Sequence, residues 1–194
     1  MSEEFPQVLE FLRQRRSVPS RTLGAPGPGE AEIEAMVSLA SRVPDHGKIA
    51  PWRFMRYTPD YCRRLGETFR ARALERNPDL SQDMQAVELS RFTLAPVVVA
   101  VVSCPRPHPK VPEWEQVLSA GAAAMTLLIA ANASGYDAQW LTEWVAFDEA
   151  LAPDLGVREG ERIAGFVFMG TRTAPKFERD RPALADVYSV MGEL

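Results

Sequence analysis

Near the start of the chain, Phe5, Val8, Leu9 and Leu12 recur at helical spacing between polar neighbours, which predicts an amphipathic first helix. It runs into "RQRRS", where cations suit the negative end of a helix dipole. "TLGAPGPGE" is rich in turn formers, and Gly29 with Glu30 leads into "AEIEAMVSLASR", whose Ile33, Met36, Val37 and Ala40 predict a second buried stripe. After the polar loop "VPDHGKIAP" comes "WRFMRY", a strand of mixed exposure carrying Trp52, Phe54 and Met55. Residues 59–91 are charge-rich and helical, with a break where Asn77 and Pro78 stop one helix and begin another.

"LAPVVVAVVSC" is a continuous β-branched run, too uniform to have one face in water, and predicts a fully buried strand. "PRPHPKVP" is a proline-rich, extended loop. The following "EWEQVLSAGAAAMTLLIAANASGY" predicts a long helix whose Ala, Gly and Ser residues let another backbone approach, in the core or at a subunit interface. "AQWLTEW" is a short element, and "ERIAGFVFMGT" a second buried strand with Ile163, Phe166, Val167, Phe168 and Met169. "RTAPKFERDRP" is a polar tail loop, while "ALADVYSVM" carries apolar groups that need something to pack against. No repeat or linker interrupts residues 1–194, so one domain is expected, a layered α/β/α arrangement without a regular βαβ beat.

A chain of 194 residues can bury a proper core, and 46% hydrophobic with 25% charged residues is ordinary for a globular protein. No run of about 18 consecutive apolar residues is present, and the acidic-then-basic start is the reverse of a signal peptide. A cytoplasmic protein is expected. Two cysteines, Cys62 and Cys104, make no disulfide framework and read as small apolar groups. The net charge of −4 disfavours nucleic acid and anionic membranes as partners.

The common chemical fingerprints fail in context. "GPGEAE" lacks the third glycine and the preceding strand of a dinucleotide turn, and no phosphate loop ending in Gly-Lys-Ser/Thr exists. His46 and His108 have no partners at zinc-ligand spacing, and neither cysteine sits at a glycine turn or helix start that would activate it. In "YCRRLGETFRARALER" the pairs Arg63–Glu67, Glu67–Arg70 and Arg72–Glu75 read as a solvated helix face rather than a nucleic-acid surface. "RRS" at Arg15, Arg16 and Ser17 differs in kind, because two guanidinium forks and a hydroxyl can grip a phosphate. Taken alone, it is weak evidence, and the helix dipole is the better account.

The order and spacing of "RRS", "ASRVPDHGKIAPWRF", "KVPEWEQVLSAGAAA", "SGYDAQWLT" and "GFVFMGT" resemble the FMN-dependent nitroreductase family, over Arg15 to Thr171. Within it the chain resembles the short bacterial NAD(P)H nitroreductases, with an Ala-Pro-Asp-His loop before Gln-Pro-Trp-Arg-Phe. The resemblance implies an α+β fold: three layers, α/β/α, with a mainly antiparallel central sheet, in an intertwined homodimer holding FMN at the subunit interface. By position, Arg15, Arg16 and Ser17 would hold the FMN phosphate and ribityl chain. Arg42 and His46 would approach from the other subunit, and Trp140, Leu141 and Thr142 would line the isoalloxazine. Two positions depart from the pattern: Ala50 stands where relatives carry Gln, and Leu141–Thr142 where the short relatives carry Arg-Ser.

Each residue also has a plainer role. Trp52 and Trp140 bury large areas wherever they occur, His46 can hydrogen-bond a loop carbonyl, and Glu115 and Gln116 can cap the long helix. The implied activity is hydride transfer from NADH or NADPH to FMN, then reduction of nitroaromatic, quinone-like or related acceptors by a ping-pong route. The alternatives are an FMN carrier or redox sensor without turnover, or other flavin chemistry on the same fold.

Overall fold

The structure, a computed structural model, describes residues 4–192. Helix α1 (Pro6–Gln14) leads through an irregular stretch to the two-residue strand β1 (Leu23–Gly24), then α2 (Glu30–Ala40), β2 (Trp52–Tyr57), α3 (Pro59–Arg76) and α4 (Gln82–Ser90). Strand β3 (Val97–Ser103), α5 (Glu113–Ala133), β4 (Asp137–Leu141), β5 (Arg162–Arg172) and the short α6 (Leu184–Val187) complete the order. Local chemistry sets the boundaries. The Thr58 and Ser81 side chains accept hydrogen bonds from backbone N–H groups in the first turns of α3 and α4, and the Gly29 N–H donates to the Glu32 carboxylate at 2.8 Å.

The sheet is antiparallel throughout. Strand β5 pairs with β1, β3 and β4, and β3 pairs with β2 at one edge. All seven residues of β3 are buried because both faces are covered. Val98, Ala100 and Val102 meet Phe69 and Phe92 of the α3–α4 layer and Leu151 and Leu155 of the segment before β5. Val97, Val99 and Val101 meet Ile33 and Met36 of α2 and Ala123, Ala124 and Leu127 of α5. Three layers result, as expected. Helix α5 is long and apolar enough to cross a membrane by length and composition, yet half of that stretch is buried inside the protein.

Three expectations are corrected. Among the described residues the stripe on α1 is left largely uncovered: Phe5 and Leu9 are each 58% exposed, and no residue of the helix is buried. The apolar tail is equally uncovered, with Leu184, Val187, Tyr188 and Met191 all exposed. On α3, Arg63 pairs with Asp60 one turn back rather than with Glu67, whereas Arg70–Glu67 and Arg72–Glu75 form as expected.

Candidate functional site

The end of α1 is stitched to the edge of β4. The Val18 N–H donates to the Ala138 carbonyl at 3.0 Å, and the Gln139 side chain accepts from the Ser20 N–H at 2.6 Å. This seam ties the segment that directly follows Arg15, Arg16 and Ser17 to β4, the strand that carries Trp140 and Leu141, with Thr142 immediately after it. Ser17 is exposed and the two arginines are half-buried.

The arginines occupy unlike environments. Arg16 donates to the Arg13 and Arg15 carbonyls at 2.6 and 2.9 Å and pairs with Glu178 of the tail, its Nε lying 2.8 Å from the carboxylate. Arg16, followed by the Arg179 N–H, holds the Glu178 carboxyl below its ordinary pKa. Among the described residues Arg15 has no such partner: its Nη1 is buried without any hydrogen bond. Burial first, then the nearby charges of Arg181 and Arg16, pull the Arg15 guanidinium below its usual pKa. A buried donor among like charges is a costly arrangement unless an anion completes it. A phosphate monoester, with about two negative charges and three acceptor oxygens, meets that need.

The end of β5 and the tail add cations that the sequence had not singled out. Arg181 sits close enough to act on Arg15, and Arg172 and Lys176 pair with the buried Asp137 at 3.6 and 3.1 Å. Only their position at the end of the last strand, Arg172, or in the polar tail after it, Lys176 and Arg181, could have signalled them.

Trp140 has the packing role. Its indole N–H donates to the Ala164 carbonyl at 3.1 Å, and the ring lies so close over Gly165 that a Cβ there would meet Nε1 at 1.7 Å. Leu141 packs against the α3–α4 core, and Thr142 is half-buried.

Arg42 and His46 are not bonded to this strip. Both are exposed, and among the described residues neither has a hydrogen bond or ion pair to Arg15, Arg16, Ser17, Trp140, Leu141 or Thr142. The loop carrying them is tightly built. The Asp45 carboxylate accepts from the N–H groups of Ile49 and Ala50 at 3.0 and 2.9 Å, while Gly47, Lys48 and Ala50 all have positive φ. His46 Nδ1 lies 2.7 Å from the Glu115 carboxylate, so His46 meets a charge rather than a loop carbonyl. Nor does Gln116 cap the helix. Buried at 1% exposure, it clamps the proline-rich loop through Arg106 N–H, Arg106 carbonyl and Val111 carbonyl at 2.9, 2.8 and 3.2 Å.

The cysteines are chemically quiet. Burial pushes each thiol up to about 11, with the Glu161 carboxylate adding to the effect at Cys104. A cavity of about 1040 Å³, lined by Arg106, His108, Val145, Phe147, Leu155 and Ile163 among others, includes none of the eight predicted residues.

The fold is shared with solved nitroreductases. A nitroreductase-like protein from Bacillus cereus superposes with a TM-score of 0.79 at 16% identity, covering 99% of this chain and 100% of that one. A nitroreductase with bound FMN from Bacteroides fragilis gives 0.70 at 20% identity over 95% and 98%. The chain itself belongs to the nitroreductase family, whose model matches residues 12–171. In sequence it is 36% identical to "Putative NAD(P)H nitroreductase" of Haemophilus influenzae over 84% of this chain and 88% of the relative. It is 30% identical to "Putative NAD(P)H nitroreductase YdjA" of Escherichia coli K12 over 84% and 87%.

Proposed function

We propose that this protein is an FMN-dependent oxidoreductase that uses NADH or NADPH to reduce nitroaromatic, quinone-like or related small acceptors, working as a homodimer. The observation that carries the reading is Arg15: a buried, unpartnered guanidinium nitrogen among cations, on the seam that leads to β4. Held by these residues, FMN would supply the redox chemistry, hydride acceptance from NADH or NADPH and electron delivery to the acceptor by a ping-pong route.

The chain's own residues bind and orient. Arg15 and Arg16 grip the phosphate, with Glu178 sharing or yielding the Arg16 fork, and the exposed Ser17 hydroxyl adds a hydrogen bond. The strip Trp140–Thr142 would line the ring, mostly through backbone, because the Trp140 indole is already committed to Ala164. Arg42 and His46 reach a flavin held by the partner, which accords with their exposure and with their having no hydrogen bond or ion pair to the strip among the described residues. The dimer is supported by the uncovered apolar faces of α1 and of the tail, each the kind of surface that obligate partners bury. A cytoplasmic location accompanies this reading.

Ala50 and Leu141 offer no polar side chain to the flavin, which is the observation favouring a carrier or sensor without turnover. Anaerobic mixing of the FMN-loaded protein with NADPH and with NADH separates the two. Bleaching of the flavin absorbance by at least one donor is expected; a flavin that stays oxidised with both overturns the reductase reading.

A further inference from the structure

We infer that Arg91, together with the buried Glu88, is a positioning residue for the flavin: it acts through Glu143 to fix the turn after β4 that presents residues 142 and 143 to the ring. The inference rests on the FMN reading above.

Strand β4 ends at Leu141, and the chain must pivot at once into a 3₁₀ helix over Trp144–Phe147. The pivot is Glu143, at φ 57° and ψ 165°. That combination is almost confined to glycine, since a Cβ crowds the neighbouring backbone, and it survives only where the surroundings over-determine it. Here the surroundings are ionic. The Glu143 carboxylate is hydrogen-bonded by Arg91 Nη1, and Arg91 chelates Glu88 with two further bonds of 2.9 and 2.6 Å. The Trp144 indole N–H donates to the same Glu88 carboxylate at 3.1 Å. Residues 143 and 144 are therefore both tethered to the end of α4. The Arg91 and Glu88 side chains are only 10% and 6% exposed.

A buried Arg91–Glu88 pair with the part-buried Glu143 carboxylate, 29% exposed, adds little stability by itself, because desolvation offsets most of the attraction. What it does supply is geometry. Glu143 directly follows the strip Trp140–Thr142, whereas Arg91 and Glu88 make no hydrogen bond to any of the eight predicted site residues among those described. Their influence on the flavin must pass through the turn.

The test uses the full-length protein, FMN titration of the apo form, and the flavin midpoint potential. Wild type is compared with Arg91→Met and Arg91→Lys, and with Glu143→Gly, which frees the turn while accepting its positive φ. Arg91→Met and Glu143→Gly are expected to weaken FMN binding at least 10-fold and to shift the midpoint potential. Arg91→Lys, which keeps the charge but cannot chelate Glu88, falls between them and wild type. If Arg91→Met fails to fold, Glu143→Gly decides alone. Wild-type affinity and potential in Glu143→Gly, whatever its melting temperature, overturn the inference while leaving the FMN reading intact. A folded wild-type protein that binds no FMN overturns both.

Discussion

Replacing Arg15 by Met should move stability and binding in opposite directions. Methionine keeps much of the aliphatic stem and removes the guanidinium, whose Nη1 is buried without a partner. An unsatisfied buried donor costs about 1–3 kcal/mol. Because part of the group still reaches solvent, the low end applies, and the apo variant should gain about 1 kcal/mol, or about 2–4 °C in Tm for a chain of this size. Relief of repulsion from Arg16 and Arg181 acts in the same sense. FMN binding should suffer instead. A hydrogen bond to a charged group contributes about 1.5–3 kcal/mol, so Kd should rise about 10- to 150-fold. Thermal melts of the apo protein and quenching of FMN fluorescence measure the two effects. A variant that is less stable without FMN yet binds it like wild type would refute the reasoning, making Arg15 a structural residue.

Further outcomes follow from other parts of the molecule. Arg53 grips Glu161 through bonds of 3.0 and 2.6 Å and holds its carboxyl at about 2, below the ordinary 4.5. A depressed folded pKa gives stability that is present above about 4.5 and lost as pH falls toward about 2, so Glu161→Gln should flatten that acid limb in denaturation curves; an unchanged slope contradicts it. Gly165→Ala should destabilise by about 2–4 kcal/mol, since its Cβ would meet Trp140 Nε1 at 1.7 Å and displace the indole from the Ala164 carbonyl; urea denaturation at wild-type midpoint would count against the packing described. Leu9→Glu lies on an exposed face of α1 and should leave the chain folded while shifting sedimentation from dimer to monomer; a persistent dimer places the interface elsewhere.

The layers were legible because β3 and β5 are apolar at successive positions, which only a sheet covered on both faces can absorb. The stripes on α1 and the tail were legible as apolar but not as uncovered, since periodicity says that something packs there and not which chain supplies it. The end of α1 was readable from two arginines and a serine. That Arg15 lacks a partner while Arg16 has Glu178 was not, because the two lie 162 residues apart in sequence and meet only through the tail. Glu143 was hidden for a similar reason. An acid after a strand looks like surface, and its partner Arg91 lies 52 residues earlier at the end of a helix. Arg63 shows the limit of helical spacing, which allows a partner one turn either way.

Wild-type affinity for FMN against riboflavin, which has the same ring but no phosphate, tests the central claim most directly. The cation cluster at Arg15, Arg16 and Arg181 predicts that FMN binds at least about 100-fold more tightly, from two or more charge-assisted contacts, with most of that gap lost in Arg15→Met. Equal affinity for the two flavins would contradict the account.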